Sequence, residues 1–503
     1  MNYPFWDIGM GYGVLMGAVA VLHVFISHFA IGGGLYLVVT ERSARRANDA
    51  ARLEYLERLS KFFILVTLVA GALTGVWIWF VIGLLSPAGT EVLIHNFVWG
   101  WAIEWTFFVV EIASAILYFF GWNRMSPKDH MIIGWIYFAA AWLSLVVING
   151  ILTFMLTPGK WLATGGFWDG FFNPTYWPSL VLRTGIAIML AGLYSLVVVV
   201  RCEPGESKTA LVRYNALWGL AGLAIALASL SWYYRAIPAA ITSAALQIMP
   251  WPVRSLNHSY RAALAVGVLL VVFGLLVPKR WGRTTALLCM VGGLAWVSGF
   301  EIFREAVRKP YIIYGYMYGN GVELGRTAEY RGGGYLSKIV YRTGDDGADL
   351  FRHACRSCHT LAGYKALKPY FDGTDRDFIA AIIKSAHLLK GNMPPFLGSP
   401  EEAARIADYL SARMDKRPLA EIYGLQGAAL GRKVFDVRCG KCHEMGGPHD
   451  KTPSLAGLSV QDYDNMLDMA ADLGEGMPAF TANAAERTAL IEYLQTLKTG
   501  GNK

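Results

Sequence analysis

Cys355-Arg-Ser-Cys358-His359 decides the fold of the C-terminal third of this chain, and it recurs 84 positions later as Cys439-Gly-Lys-Cys442-His443. Cys-x-x-Cys-His is the attachment signature of a c-type haem, in which two thiols bind the porphyrin and the His binds iron. The same shift of 84 takes Met393-Pro-Pro-Phe396 onto Met477-Pro-Ala-Phe480. A fixed period indicates an internal duplication. The sequence therefore predicts two tandem haem-binding domains attached through Cys355, Cys358, Cys439 and Cys442.

A methionine follows each motif histidine at the same distance, 34 residues in both copies. A thioether opposite imidazole raises the reduction potential of a haem and suits electron transfer. A Met before Pro is otherwise a gap-filling loop residue. The matched spacing favours iron ligation by His359 with Met393 and by His443 with Met477. Both copies resemble class I cytochromes c, with an aromatic residue before the motif, an extended Met-Pro loop and a closing helix.

Composition indicates that the rest of the chain lies in a membrane. Of the 503 residues, 54% are apolar, which is too many for one soluble domain of this length. Eight apolar runs are long enough to span a bilayer, at about 10–40, 59–85, 95–122, 130–156, 178–201, 211–234, 259–277 and 283–306. The net charge of +8 does not indicate nucleic acid, because the basic residues concentrate in short loops between these runs.

The basic loops predict the orientation of the chain. Lys and Arg concentrate after the first, third, fifth and seventh runs, at 41–46, 123–128, 201–213 and 279–283. Short basic loops remain cytoplasmic, so the N-terminus and the residues after 306 should lie outside. Covalent haem attachment takes place on the outer side of the bacterial cytoplasmic membrane, so the attachment motifs predict the same orientation as the basic loops. We expect a multi-pass protein of that membrane with its haem c domains in the periplasm.

The predicted fold is all-α, a transmembrane bundle of about eight helices followed by two small α-helical cytochrome c domains. The expected boundaries are 1–315 for the membrane domain, 316–344 for a linker, and 345–417 and 418–503 for the two c domains.

Ionisable side chains inside a bilayer cost about 2.5–3.5 kcal/mol each and are usually functional. Here most fall in the outer half of the predicted bundle: His23, His28, Glu104, Glu111, Arg183, His258, Arg261, Glu301, Arg304, Glu305 and Arg308. His23 and His28 are about 140° apart around a helix, so one iron does not suit both. One is then a ligand and the other structural. A hydrogen-bonded core His and an interfacial salt-bridge network remain the alternatives.

Three segments resemble subunit I of the cytochrome bd quinol oxidases. Leu22 to Gly32 is similar to the first span of that family, and Phe107 to Glu111 is similar to its third. The segment from Glu305 to Tyr311 is similar to a Glu-x-x-Arg-x-Pro-Trp motif. The resemblance implies that His23 and Glu305 bind iron, that Arg308 contacts haem and that Glu111 lies beside it. Glu111 and Glu104 are the candidate proton donors, although the companion acid of the family falls at Ile103.

The chain also departs from that family. Arg183 and Ala263 stand where the family has the His and Met ligands of its low-spin haem. The long quinol-binding loop is reduced to about twenty residues, and the c domains begin where the family has a ninth span. The low-spin haem is then missing or differently bound, with His258 the nearest spare imidazole. We expect two covalent haem c groups and one or two non-covalent haems of b or d type.

Two functions follow from these features. The leading hypothesis is a respiratory cytochrome that passes electrons between periplasmic c haems and a bd-like haem site, where oxygen or another small molecule is reduced. The alternative is an electron-transfer subunit that links a quinol or a partner enzyme to periplasmic carriers. The chain is itself an oxidoreductase enzyme under the leading hypothesis, whereas under the alternative it is an electron-transfer subunit of a respiratory complex. A simple anchor is disfavoured by the buried charges. The expected partners are further membrane subunits, a periplasmic electron carrier and, on the alternative reading, quinone.

Overall fold

A computed structural model describes residues 8–248, 251–447 and 449–497, so the predicted domain ends at 1–7 and 498–503 lie outside the described residues. Eight helices among these are long and apolar enough to cross a membrane, the number that the sequence predicts. We call them spans 1 to 8: Tyr12–Arg46, Ala50–Leu85, Val98–Gly121, Pro127–Phe154, Tyr176–Val199, Glu206–Ala236, Val253–Leu276 and Arg283–Val307. The chain is a multi-pass membrane protein with an all-α fold.

Local sequence explains where several spans begin and end. Span 4 starts at Pro127, directly after Ser126, whose hydroxyl accepts the N–H of Asp129 at 3.1 Å. Ser at this position satisfies an N–H group that the helix leaves free, and Pro suits the first turn. Span 1 ends with Arg45 and Arg46 in its last turn, where positive charge interacts favourably with the helix dipole.

Span 5 is the centre of the bundle. In its most apolar window 72% of the residues are buried, against 11% in span 2. Spans 5 and 6 approach closely at two glycines. A side chain at Gly192 would collide with the backbone of Gly219 in span 6, and one at Gly222 would collide with the backbone of Met189 in span 5. Gly32 brings span 1 against span 5 in the same way. Small residues permit such close helix packing, which brings the polar groups of spans 1, 5 and 8 together.

The C-terminal part contains two hydrophobic cores, built by helices at equivalent positions. The first core involves Asp346–Ala354, Lys368–Phe371, Arg376–Lys384, Ala386–Lys390 and Pro400–Ser411. The second involves Leu419–Tyr423, Gly427–Arg438, Thr452–Leu455, Val460–Asp468, the 3-10 turn Ala470–Asp472 and Ala484–Gln495. In each core the first and last long helices cross at a glycine, Gly347 or Gly431, against the backbone of Arg405 or Ala489. The contact repeats with the period of 84.

The segment between span 8 and the first core is folded. Strands Tyr311–Ile313 and Met317–Tyr318 pair antiparallel, and turns at Leu324–Arg326 and Leu336–Lys338 flank the helix Thr327–Gly333. Tyr335 is buried in the first c core, and its N–H donates to the Glu402 carboxylate at 3.0 Å. The predicted linker therefore packs onto the first c domain. The remaining short helices are Pro87–Asn96, Trp161–Thr164, Phe167–Phe171, Ala239–Ile248 and the 3-10 turn Pro278–Arg280.

Candidate haem sites

The two attachment motifs have the same local structure. Each begins where a helix ends, so that the motif His donates its backbone N–H to the carbonyl of the first Cys at 2.9 Å. The Nδ1 atoms of His359 and His443 each lie 3.2 Å from a carbonyl six residues on, that of Lys365 or His449. This hydrogen bond fixes the imidazole and leaves Nε2 for a metal.

The motif side chains have the chemistry that haem c requires. All four motif thiols are free of disulfides. Burial lowers the pKa of His359 and of His443, which keeps both imidazoles in the neutral form that binds iron. Met393 packs against the first core, and Met477 follows the turn at Gly474. The ligand pairs proposed from spacing stay predictions.

His23 and His28 point to different neighbours. His23 Nδ1 lies 3.1 Å from Thr74 Oγ1, and its Cε1 atom lies against Gly75 of span 2. His28 is 2% exposed, and its Nδ1 lies 2.8 Å from the Val24 carbonyl. Its Nε2 atom is buried without a hydrogen-bond partner. A fixed imidazole with an unpaired nitrogen is suited to metal ligation, so His28, which the family resemblance does not implicate, is a second candidate ligand.

The two carboxylates of span 3 face span 4. Ser144 donates to Glu104 Oε1 at 3.0 Å, and the Tyr137 hydroxyl lies 3.1 Å from Glu111 Oε1. Tyr137 also reaches the Ala30 carbonyl of span 1 at 3.1 Å. Glu111 is thereby connected to the helix that carries both histidines, whereas Glu104 has only a polar neighbour on span 4 among the hydrogen bonds described.

A buried ion cluster joins spans 5 and 8. Arg183 Nη2 donates to Glu301 Oε1 at 3.0 Å, and Arg304 lies 2.8 Å from the other oxygen of that carboxylate. Arg183, which the family resemblance places at the position of a low-spin haem ligand, is therefore engaged with Glu301. His258 lies exposed on span 7 and does not join this cluster.

Glu305 lies at the end of span 8 in a second ion network. Its carboxylate accepts hydrogen bonds from Arg308 and, at 2.7 Å, from Lys309. Arg308 is 6% exposed, and its Nε atom is buried without a partner. An unpaired guanidinium N–H is a donor suited to a carboxylate such as a haem propionate. The Glu305 carboxylate therefore takes part in a salt-bridge network, as the alternative interpretation expects, whereas Arg308 keeps an N–H group without a partner.

The first c domain contacts the membrane domain at two points. Arg356, inside the attachment motif, donates to the Ile8 carbonyl at 2.7 Å, and the Tyr364 N–H donates to the Met10 carbonyl at 3.1 Å. On the other side, a Cβ added to Gly319 would lie 3.8 Å from Cys358 Sγ. The motif therefore lies between the start of span 1 and the segment after span 8.

The second c domain contacts the first through its own attachment motif. Arg438 Nη2 donates to the Gly373 carbonyl at 2.9 Å, and Lys441 lies over the rings of Phe371 and Phe378 at 5.4 and 5.0 Å. Cys442 packs against the core of the first domain. The second attachment motif therefore lies against the first c domain, and the first motif lies beside the segment that follows Glu305. Sequence spacing alone does not predict this order.

The sequence reasoning missed one polar cluster at the opposite end of the bundle. Glu41 is fully buried and is hydrogen-bonded to Tyr118 at 2.7 Å, His130 at 2.9 Å and Arg45 at 2.6 Å. The sequence did contain a signal for this cluster, because Glu41 is an acidic residue near the basic end of span 1. The cluster ties spans 1, 3 and 4 together.

Comparison with known proteins gives matches at both ends of the chain. Residues 14–232 match the family of cytochrome bd terminal oxidase subunit I, and residues 342–410 and 426–494 each match the family of cytochrome c oxidase, cbb3-type, subunit III. No curated protein matches. Among solved structures, the bd oxidase from Geobacillus thermodenitrificans superposes with a TM-score of 0.53 at 14% identity, covering 60% of this chain and 88% of that one. The first match ends before Glu305, so the role of Glu305 depends on its motif.

Proposed function

We propose that this chain passes electrons from its c haems to a bd-like haem site. Oxygen or another small molecule is reduced at that site. The chain is a membrane-bound multihaem respiratory cytochrome, in which a domain similar to cytochrome bd subunit I is joined to two cbb3-type cytochrome c domains. The c domains face the periplasm, because the basic loops at 41–46, 123–128, 201–213 and 279–283 all lie at the other end of the spans.

The observation that carries this proposal is the contact between the first attachment motif and the segment after Glu305. The Gly319 N–H donates to the Pro310 carbonyl at 2.9 Å, and Gly319 lies against Cys358. Lys309, which directly precedes Pro310, pairs with Glu305 at 2.7 Å. Electron tunnelling requires redox groups to lie close together, so a haem attached at Cys358 and one bound near Glu305 would suit transfer.

The requirement that redox groups lie close together also predicts the order in which electrons pass through the two c domains. Cys442 of the second motif packs against the core of the first c domain. Electrons then enter at the second c domain, pass through the first and reach the membrane domain. The number of haems in the membrane domain, one or two of b or d type, is part of the proposal.

The residues of the membrane domain have separate roles. Bound haem supplies one-electron exchange and, where an iron position is open, binding of a small molecule. His23 or His28 and Glu305 hold iron, and Arg308 donates to a propionate. Glu111 transfers protons from a position connected to Tyr137, since a carboxylate inside the bundle can accept a proton without direct contact with water.

Partners follow from the same arrangement. Spans 2 and 3 are little buried, with 11% and 17% of their apolar windows inside the bundle, and a further membrane subunit would cover them. A periplasmic electron carrier delivers electrons to the second c domain. Quinone, if it takes part, binds another subunit, because only a short connection separates spans 6 and 7 here.

A pyridine-haem assay with carbon monoxide difference spectra of the purified protein tests this function. We expect two c haems together with at least one non-covalent haem per chain, and a new band when carbon monoxide binds reduced protein. Oxygen consumption with a reduced carrier should follow. A chain with two c haems and no other haem would reduce the membrane half to an anchor and refute the proposal.

A second candidate, an electron conduit without substrate reduction, is favoured by one observation. The Glu305 carboxylate is already held by Arg308 and Lys309, which leaves it less free to bind iron. In that case the membrane haem would have both axial positions filled. Bis-ligated haem b in the reduced spectrum, with no oxygen consumption, would then replace the first proposal.

A further inference from the structure

The first c domain has a surface that receives the second. We call it the inner face and define it by Phe371, Phe378, Ser385 and Leu388. Lys441 lies over the two aromatic rings. A Cβ added to Gly476 would lie 2.9 Å from the Ser385 Cβ and 2.8 Å from Leu388 Cδ1. The inner face thus accepts the part of the second domain that carries its attachment motif.

The duplication gives the second domain an equivalent surface. Shifting the inner face by 84 positions gives Leu455, Asp462, Met469 and Asp472, which we call the outer face. The secondary structure supports the alignment, because the helices Arg376–Lys384 and Val460–Asp468 start and end at equivalent residues. The outer face is therefore the same structural surface, one repeat further from the membrane.

Exposure distinguishes the two faces. Phe371 and Phe378 are 5% and 4% exposed, because they belong to the first core and also lie under Lys441. Ser385 is 5% exposed beside Gly476, and Leu388 at the edge of the inner face is 39% exposed. Met469 is 51% exposed, and Leu473, which adjoins the outer face, is 52% exposed. Exposed apolar side chains grouped at one place on a soluble domain commonly mark an interaction surface.

Charge on the outer face selects the partner. Between Ser459 and Met477 the chain has five acidic residues and no Lys, Arg or His. Arg487 pairs with Asp464 and Asp468, so the unpaired acids are Asp462, Asp472 and Glu475 among the ion pairs described. The corresponding segment 375–393 contains Arg376, Lys384 and Lys390 against Asp375 and Asp377, and is therefore weakly basic. The covered face belongs to a weakly basic segment, whereas the exposed one belongs to an acidic segment in a chain of net charge +8.

We propose that the outer face docks a soluble, lysine-rich electron-carrier protein, oriented head to tail as the second c domain is on the first. A lysine beside the redox group of the carrier would lie where Lys441 lies on the inner face, and acidic residues would attract it. The proposal rests on the proposed function in one respect, namely that electrons enter through the second c domain. The carrier is oxidised by one electron and the second c haem is reduced by one.

The test uses the purified full-length protein, with a reduced lysine-rich class I cytochrome c as probe. Asp472→Lys reverses an exposed charge of the outer face without removing a described side-chain hydrogen bond. The matched control is Glu421→Lys, an exposed acid of the same domain outside the outer face. Stopped-flow absorbance measures the second-order rate of reduction of the c haems, and haem c content verifies folding.

We expect the outer-face variant to slow reduction at low ionic strength by about tenfold or more, with the difference vanishing at high salt. Succinylating the lysines of the probe should have the same effect on the parent protein. The control variant and reduction by a small chemical reductant should keep the parent rate. Equal rates in both variants would overturn the proposal.

Two further outcomes are informative. Concentration-dependent self-association of the parent protein in light scattering, lost in the outer-face variant, would assign the face to a second copy of this chain and overturn the carrier. Because the assay follows electrons only as far as the c haems, it is independent of the membrane site. Normal carrier docking without carbon monoxide binding would refute the proposed reduction and leave this inference intact.

Discussion

Arg356 joins the attachment motif of the first c domain to the start of span 1. This side chain is 7% exposed and donates from Nη2 to the Ile8 carbonyl at 2.7 Å. It also lies 6.0 Å from the centre of the Tyr12 ring, and its Nη1 reaches the His359 carbonyl at 3.3 Å. Replacing Arg356 by Ala removes the link between the attachment motif and the start of span 1. We predict that the domain then separates more often from the membrane domain.

The size of the effect follows from these contacts. A hydrogen bond from a charged group contributes about 1.5–3 kcal/mol. Since each 1.4 kcal/mol is a factor of ten, Arg356→Ala should raise the undocked fraction about tenfold to 150-fold. We leave out the ring contact, because at 6.0 Å it is at the limit of a cation–π interaction.

Hydrogen exchange measures this opening directly. The Tyr364 amide donates to the Met10 carbonyl across the interface, so it exchanges only when the domains separate. We expect its protection to fall by the same factor, and electron transfer from the c haems to the membrane haem to slow. Arg352→Ala is the matched control, because Arg352 pairs only with Asp349 of its own helix among the ion pairs described.

Two results would refute this reasoning. Unchanged protection at Tyr364 in Arg356→Ala would mean that other contacts hold the interface. An equal loss in Arg352→Ala would mean that the domain itself had unfolded. Haem c content and exchange in the second c domain should stay at the parent level in both variants.

Three further predictions concern ligation, proton transfer and pH. His23→Ala and His28→Ala should differ in the reduced spectrum, and the variant that loses the non-covalent haem identifies the ligand; retention of all haem in both would exclude ligation by either. Tyr137→Phe removes the hydroxyl that donates to Glu111. It should slow substrate reduction about twofold to tenfold, since such a hydrogen bond contributes about 0.5–1.5 kcal/mol, with unchanged haem content; an equal loss in haem would indicate a structural role. Burial lowers the pKa of His353 from 6.5 to about 4, so the unfolded chain binds that proton more tightly. The stability of the first c domain should fall between pH 6.5 and 4, and His353→Gln should flatten that slope in thermal melts.

Local chemistry explains what the sequence predicted well. Haem attachment needs two thiols and an imidazole within five consecutive residues, so both motifs can be read directly from the chain. A membrane span needs only length and apolar content, and the predicted number of eight agrees with the structure. The resemblance to bd subunit I and to cytochromes c is confirmed by the family matches.

The residues inside the bundle show the limit of that reasoning. The sequence placed His23 and His28 on different sides of one helix, yet it could not say which nitrogen lacks a partner. Arg183 and Glu301 are 118 residues apart, and their ion pair exists only because spans 5 and 8 lie together. The predicted iron and proton residues have neighbours that suit those roles, and the roles themselves stay predictions.

By itself, the sequence determined that this chain has eight segments long and apolar enough to cross a membrane and two tandem attachment motifs, because both depend on residues close together along the chain. Only the tertiary structure decided that the second motif rests on the first domain, and that the first lies between span 1 and the segment after Glu305. Those contacts join residues far apart along the chain, 65 positions for Arg438 and Gly373 and 348 positions for Arg356 and Ile8. They arise from how complete helices pack, which local pattern does not specify.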